Sequence, residues 1–250
     1  MITLTTDFGD SEYVGAMKGV ILSLNHSALI VDATHNIRPF DIRHAAYAVY
    51  STFSFFPKET VHVVVVDPGV GTERKGIIME SAGHFFVGPD NGVFSLIDAE
   101  RVFEITERKA SSTFHGRDVF APVAAQLDAG DPPESLGREI KGYKKVMKKE
   151  VDVSESIRGE VYCTDRFGNI ITSIKKDHLE EYGLNPGDLI SVKLGKRIFK
   201  MSFAETYGAV NVGETLGLVN SAGHFEVSVS EGSAAEQLGV RGGESVVVQV

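Results

Sequence analysis

The chain has 250 residues, 42% of them hydrophobic and 24% charged, which is enough to bury a core without staples and too apolar on average for a mostly disordered chain. Its 25 Lys+Arg stand against 34 Asp+Glu, a net charge of −9, so the mean surface field repels phosphate backbones and anionic headgroups, and nucleic acid is not expected as a partner. One cysteine, Cys163, cannot form an internal disulfide or a multi-cysteine metal cluster. The opening MITLTTDFGD has no basic-then-apolar leader pattern, and no apolar run approaches the ~20 residues that span a bilayer, so a cytoplasmic protein without membrane contact is expected.

The first half alternates β-branched runs with amphipathic stretches: Ile2–Thr6, Tyr13–Leu24, Leu29–Asp32, Asp41–Phe56 and Val61–Val66. That rhythm predicts a parallel sheet flanked by helices. Val14, Met17, Ile21 and Leu24 recur at the spacing of one buried helix face, with Ser11 and Glu12 available to its amino end. Ile42, Ala45, Ala46, Val49 and Phe53 repeat the pattern, and the Val61–Val66 run suits a central strand covered on both faces. Further strands are predicted at Gly76–Glu80, His84–Val87 and Val102–Ile105, then a helix at Val119–Leu127, where the α/β core is expected to end. From Asp128 to Ser156 the chain turns polar, with Pro132-Pro133 and the lysines 141, 144, 145, 148 and 149, which read as a connector, an edge segment and a solvated face.

Beyond Arg158 short strands dominate: Glu160–Cys163, Asn169–Ile174, Leu189–Leu194, Arg197–Met201, Leu216–Asn220, His224–Ser228 and Ser245–Val250, with little helix between them. Strands punctuated by Gly and Asn-Pro-Gly predict a smaller antiparallel β-barrel-like domain. The expected organisation is an N-terminal α/β domain with a central, mostly parallel sheet over residues 1–152, connector included, and a C-terminal β-barrel-like domain over 153–250.

Asp7, Asp32 and Asp67 each stand at the predicted carboxyl end of a strand, the edge where open α/β sheets place ligand crevices, so three acids are expected on one rim. Each also suits a helix cap or a turn. Asp67-Pro-Gly-Val-Gly-Thr-Glu-Arg74 follows the most buried strand, and an Asp and an Arg around two glycines make it a candidate binding loop. Gly88-Pro-Asp-Asn-Gly92 reads equally as a reverse turn. In Phe114-His-Gly-Arg-Asp118, Asp118 suits a helix cap, Arg117 a local pair, and His115 a titratable group beside a glycine. Asp165-Arg-Phe-Gly-Asn169 and Asn220-Ser-Ala-Gly-His-Phe-Glu226 offer amides, hydroxyls, carboxylates and a ring able to read and stack a heterocycle, or simple hairpin turns.

In order, Thr6-Asp-Phe-Gly9, Asp67-Pro-Gly-Val-Gly-Thr72, Gly88-Pro-Asp-Asn-Gly92, Phe114-His-Gly-Arg-Asp118, Asp165-Arg-Phe-Gly-Asn169 and Asn220-Ser-Ala-Gly223 resemble the S-adenosyl-L-methionine (SAM) hydrolases. These adenosine-forming enzymes, the SAM hydroxide adenosyltransferases, are related to fluorinase and chlorinase. The resemblance spans nearly the whole chain. It implies hydrolysis of SAM to adenosine and L-methionine without cofactor or metal, in a homotrimer whose sites lie at subunit interfaces. It further implies a catalytic triad of Asp67, Arg74 and His115, with Asp7 on the ribose hydroxyls and Asn169, Tyr207, Ser221, Glu226 and Ser228 around the nucleoside. The segment His224-Phe-Glu-Val-Ser-Val229 departs from the family's more aliphatic versions.

Three other functions fit parts of the sequence. Asp67-x-Gly-x-Gly-Thr72 superficially resembles a phosphate loop of actin-like ATPases, although a second such loop is missing. Clustered acids suit a Mg²⁺-dependent phosphohydrolase. A non-enzymatic sensor of SAM or adenosine would need only the binding residues.

Overall fold

Two compact units make up the chain, Met1–Val146 and Met147–Val250. The structure, a computed structural model, describes residues 1–106, 110–147 and 150–250. Lys148 and Lys149 of the lysine cluster lie outside the described residues.

The first unit runs β1 (Ile2–Thr6), α1 (Glu12–Leu24), β2 (Ile30–Thr34), α2 (Ile42–Thr52), β3 (Val61–Val65), β4 (Gly76–Ser81), β5 (His84–Pro89), β6 (Arg101–Ile105), α3 (Ala121–Asp128), α4 (Pro133–Leu136) and β7 (Gly137–Ile140). Its 7-stranded sheet has the order β2-β1-β3-β5-β4-β6-β7. The first four strands are parallel, and β4, β6 and β7 add antiparallel pairings. Every residue of β3 is buried. Val61, Val63 and Val65 meet Val14, Met17 and Ile21 of α1 and Ala121 and Ala124 of α3 in one core, whereas Val64 and Val66 meet Ala45 and Val49 of α2 and Phe86 in another. The β-branched run is thus the middle layer of a helix–sheet–helix sandwich, as its composition predicts.

Four local expectations are corrected. Ser11 stands at the amino end of α1, but its side chain makes no capping bond. α2 stops at Thr52, whose hydroxyl donates 2.7 Å back to the Ala48 carbonyl, and the chain tightens into a 3₁₀ turn, Phe53–Phe55, ahead of Pro57. The α/β core does not end near Leu127, because β7 pairs with β6 at the sheet's edge, which is the edge segment expected in the polar stretch that follows. Asp32 sits in the middle of β2. An edge strand, open to water on one side, accommodates such a carboxylate.

The second unit runs β8 (Asp152–Val153), β9 (Ile157–Thr164), β10 (Ile170–Lys175), α5 (Lys176–Tyr182), β11 (Leu189–Leu194), β12 (Arg197–Phe203), β13 (Thr215–Val219), β14 (His224–Val229), α6 (Ala234–Leu238) and β15 (Ser245–Gln249). Strands β10-β14-β13-β12-β11-β15-β9 follow one another, and the β9–β10 pairing closes them into a 7-strand barrel. Only β12 and β13 run parallel among these neighbours. Val161, Ile170, Val192, Phe225, Val227, Val246 and Val248 fill the interior, and closure leaves only β8 as an added edge. No helix among the described residues is long and apolar enough to cross a membrane.

Candidate active site

In the first unit, β1 and β3 run side by side in the same direction, which brings Asp7 and Asp67 to the same edge of the sheet. There they line a cavity of about 510 Å³ together with Phe8, Ser11, Tyr13, Phe40, Phe114 and His115. That volume lies within the range of small-molecule sites. Phe8, Tyr13 and Phe114 contact one another edge to face, with centroids 5.0 to 5.8 Å apart, and so join the loop carrying Asp7 to the loop carrying His115.

The loop after β3 folds back on itself through its own ion pair. Arg74 Nε lies 3.0 Å from both Asp67 oxygens, and Nη2 makes a further, shorter contact with Oδ2. Both side chains are nearly buried, at 5% and 10% exposure, so each charge depends on the other. Gly71 holds a φ of +75°, and a Cβ there would sit 2.2 Å from the Ser112 carbonyl oxygen. A side chain at this point would therefore push the loop off the segment that leads to His115. Asn91, from the Gly88–Gly92 motif, donates 2.9 Å to the Val66 carbonyl and braces the end of β3.

Arg74 Nη2 also lies 2.7 Å from His115 Nδ1. Arginine has no acceptor, so Nδ1 accepts and a neutral His115 carries its proton on Nε2. Burial lowers the His115 pKa, the Arg74 charge lowers it further, and Asp67 and Asp118 oppose them. His115 directly precedes a π-helical turn, Gly116–Phe120, a distortion common at functional sites. Asp118 pairs with Arg117 at 2.6 Å and accepts from the Ser111 amide at 2.8 Å, so it ties down the preceding loop.

Asp7 accepts from the Phe40 amide at 2.8 Å. Burial raises its carboxyl pKa, the Phe40 and Asp7 amides pull it down, and the nearby charge of Asp67 raises it again. Asp32 is not on this cavity's wall; its carboxylate meets Lys18 at 2.6 Å and His35 at 3.0 Å. The expected rim of three acids is therefore a pair.

In the second unit, a cavity of about 650 Å³ is lined by Asp165, Phe167, Asn169, Tyr207, Glu231 and Ser233, among others. Asp165 organises its turn, accepting from the Phe167 and Asn169 amides at 2.9 Å and from Asn169 Nδ2 at 2.9 Å. Gly168, at φ +84°, lets Ser233 approach so closely that a Cβ would lie 2.1 Å from its hydroxyl. Glu226, 2% exposed, accepts from Tyr207 at 2.8 Å, Ser228 at 2.7 Å and Asn220 at 3.2 Å. The Tyr207 pKa is raised, by burial first and by Glu226 next.

Family models for the SAM hydroxide adenosyltransferase N-terminal domain and C-terminal domain match residues 2–137 and 159–247. The chain belongs to the SAM hydroxide adenosyltransferase family. It is 40% identical to the (R)-S-adenosyl-L-methionine hydrolase of Methanocaldococcus jannaschii, over 96% of this chain and 92% of that one. It is 36% identical to the enzyme of the same name from Thermus thermophilus, over 96% of both chains. A solved structure of a conserved protein from Thermotoga maritima superposes over 100% of both chains with a TM-score of 0.89 at 40% identity.

In this family member, the motif residues Asp67, Arg74 and His115 form one hydrogen-bonded cluster, and Asp7 shares a cavity with Asp67 and His115. Asn169 and Tyr207 share the other cavity. Glu226 and Ser228 lie buried behind Tyr207, and Ser221 is exposed on the turn before β14, outside that cavity's lining. Phe167, 75% exposed at the cavity wall, supplies the stacking ring that the sequence offered in the Asp165–Asn169 turn, although the resemblance did not place it around the nucleoside. Sequence reasoning passed over Phe40, 70% exposed with a φ of +67°. An aromatic residue at positive φ is strained, and the amide on Asp7 is the contact this strain supports.

Proposed function

We propose that the protein hydrolyses SAM to adenosine and L-methionine by attack of water on ribose C5′. The observation that carries this reading is the Asp67–Arg74–His115 hydrogen-bonded cluster, whose Asp67 and His115 stand on the wall of a cavity that also presents Asp7. The C5′–O bond forms as the C5′–S bond breaks, its electron pair returns to sulfur, and methionine departs as a neutral thioether. The sulfonium needs no acid to leave, so the enzyme's task is to align and deprotonate a weak nucleophile. A water placed between Arg74 and His115 accepts from Nη2 and donates to Nδ1, in place of their direct 2.7 Å contact. Its developing negative charge is stabilised by Arg74, which Asp67 holds in line. The lowered pKa of His115 keeps the acceptor nitrogen unprotonated near neutrality.

Asp7 accepts from the ribose hydroxyls, while Asn169, Tyr207 and Phe167 receive the nucleoside. Glu226, with Ser228 and Asn220 on its oxygens, fixes the Tyr207 ring at the cavity wall. In a homotrimer, each complete site draws the Asp67 cavity from one copy and the Asn169 cavity from a neighbour. The relatives' shared name specifies the (R) form, and the same epimer at sulfur is the substrate here. The scheme calls on no metal or cofactor, because the sulfonium leaves unaided and only the water must be activated.

The test is incubation with (R)- and (S)-SAM separately in ¹⁸O water without added metal. Label in the 5′-hydroxyl of adenosine is expected, faster from the (R) epimer. Label elsewhere, dependence on Mg²⁺ removable by EDTA, or binding of SAM without products overturns the reading in favour of the phosphohydrolase or the sensor.

A further inference from the structure

Asp32, which the active cavity does not use, belongs to a chain of polar contacts that ends at Asp7. Lys18 Nζ and His35 Nε2 lie 2.6 and 3.0 Å from the two oxygens of Asp32. Burial would raise the Asp32 pKa, but the contacts from Lys18 and His35 outweigh it and hold the carboxyl below its ordinary value. The His35 contact is a close charge contact and not a hydrogen bond, yet a carboxylate facing Nε2 favours the tautomer with the proton there. His35 Nδ1 is then the acceptor for the Thr6 hydroxyl at 2.9 Å. Thr6 is fully buried at the end of β1, and its oxygen in turn accepts from the Phe8 amide at 3.2 Å. The backbone carbonyl of His35 accepts from the Gly9 amide at 2.9 Å.

His35 therefore grips the turn on both sides of Asp7, through its ring on Thr6 and its carbonyl on Gly9. Five residues on, the same segment sets the Phe40 amide on the Asp7 carboxylate at 2.8 Å. We propose that His35, oriented by Asp32, is a positioning residue for Asp7. It does not line the cavity: Asp7, Phe8, Pro39 and Phe40 do, and His35 and Asp32 do not. Its effect reaches the substrate only through the placement of the Asp7 carboxylate, so it belongs to binding and not to the bond-breaking step. The inference rests on the reading of Asp7 as the ribose acceptor in SAM hydrolysis.

The experiment compares wild type with His35→Ala, His35→Asn, Asp7→Ala and the double variant His35→Ala/Asp7→Ala. An Asn at 35 places its amide oxygen where Nδ1 stood and keeps the Thr6 bond. His35→Ala is expected to raise KM for SAM about tenfold with kcat within about threefold, the signature of lost binding without lost chemistry. His35→Asn should recover most of that loss. In the Asp7→Ala background, His35→Ala should add less than about twofold, because a residue that acts through Asp7 has nothing left to position. A kcat loss as large as the KM change, no rescue by Asn, or the same tenfold loss without Asp7 overturns the proposal.

Amide hydrogen exchange on the free protein separates this from failure of the functional reading. If wild type releases no adenosine, that reading falls, and exchange at Phe8 and Phe40 decides the positioning role. About tenfold faster exchange at both in His35→Ala, with unchanged rates in β3 and partial recovery in His35→Asn, supports it. Unchanged rates at Phe8 and Phe40 overturn it.

Discussion

The two cavities use carboxylates in opposite ways. In the first unit, Asp67 is paired with a nearly buried arginine that also touches a neutral histidine, so charge and a proton acceptor meet within one hydrogen-bonded chain. In the second, Asp165 is bonded to amides of its own turn and Glu226 to two hydroxyls and an amide, with no cation in either set. The first arrangement can stabilise charge that develops during a reaction. The second is an acidic, hydrogen-bonded surface with an exposed ring, suited to recognising a flat heterocycle. On the proposed function, chemistry and recognition are divided between the units, and substitutions should separate into losses of kcat and losses of affinity.

The largest effect is expected from Arg74→Ala, which removes the proposed donor to the nascent hydroxide and strands Asp67 without its partner. A fall in kcat of about 10³-fold is the expected outcome in single-turnover assays of adenosine release. A variant that folds and retains wild-type turnover would dismantle the division. His115→Ala should lower kcat by about 10²-fold with adenosine affinity nearly unchanged. Because burial and Arg74 lower the His115 pKa, the acid limb of kcat/KM should lie below about pH 6.5. A limb at or above that value would place the essential base elsewhere.

On the recognition side, Phe167→Ala should weaken adenosine binding about three- to tenfold by calorimetry, the scale of one aromatic stack. Paired with Asn169→Ala, it also provides a test of sharing between copies. Co-expressing that double variant with Arg74→Ala should restore about a quarter of wild-type sites if each site takes its halves from different copies and the copies mix at random. No recovery, with mixed oligomers shown to form, would place both halves in one chain.

How much of this was legible in the sequence depended on whether local pattern and tertiary role agreed. The Val61–Val66 run could be little other than a covered strand, and the loop after it stood out because Asp and Arg flank two glycines. α5 was missed because Leu179 is its only buried residue and most of the others are charged. Asp32 was misplaced because an acid after apolar residues reads as a strand end, whereas β2 continues to Thr34 along the sheet edge. The bond from Tyr207 to Glu226 was invisible for a different reason: the two lie 19 residues apart on separate segments, whereas Asn220 and Ser228 reach the same carboxylate from close by in sequence.

The smallest expected effect contrasts the two interiors through pH. Each unit buries a histidine away from its cavity. His62 lies among Phe53, Phe56 and Phe86 with its ring nitrogens near Thr3 and His84, and its pKa is lowered to about 3, by burial first and by His84 next. His224 sits against the Thr172 carbonyl and is lowered to about 4, chiefly by burial. An unfolded histidine binds its proton below about pH 6.5. Between that value and the folded pKa, the unfolded chain holds the extra proton, so stability is full above pH 6.5 and falls as the solution is acidified. The loss linked to His224 levels off near pH 4, while that linked to His62 continues to about pH 3. Urea unfolding followed by circular dichroism at stepped pH should therefore show a shallower acid dependence for His224→Gln only above pH 4, and for His62→Gln over the whole interval. Identical slopes for both variants would mean that the two cores bury their histidines alike, and that the contrast between the units is confined to the cavities.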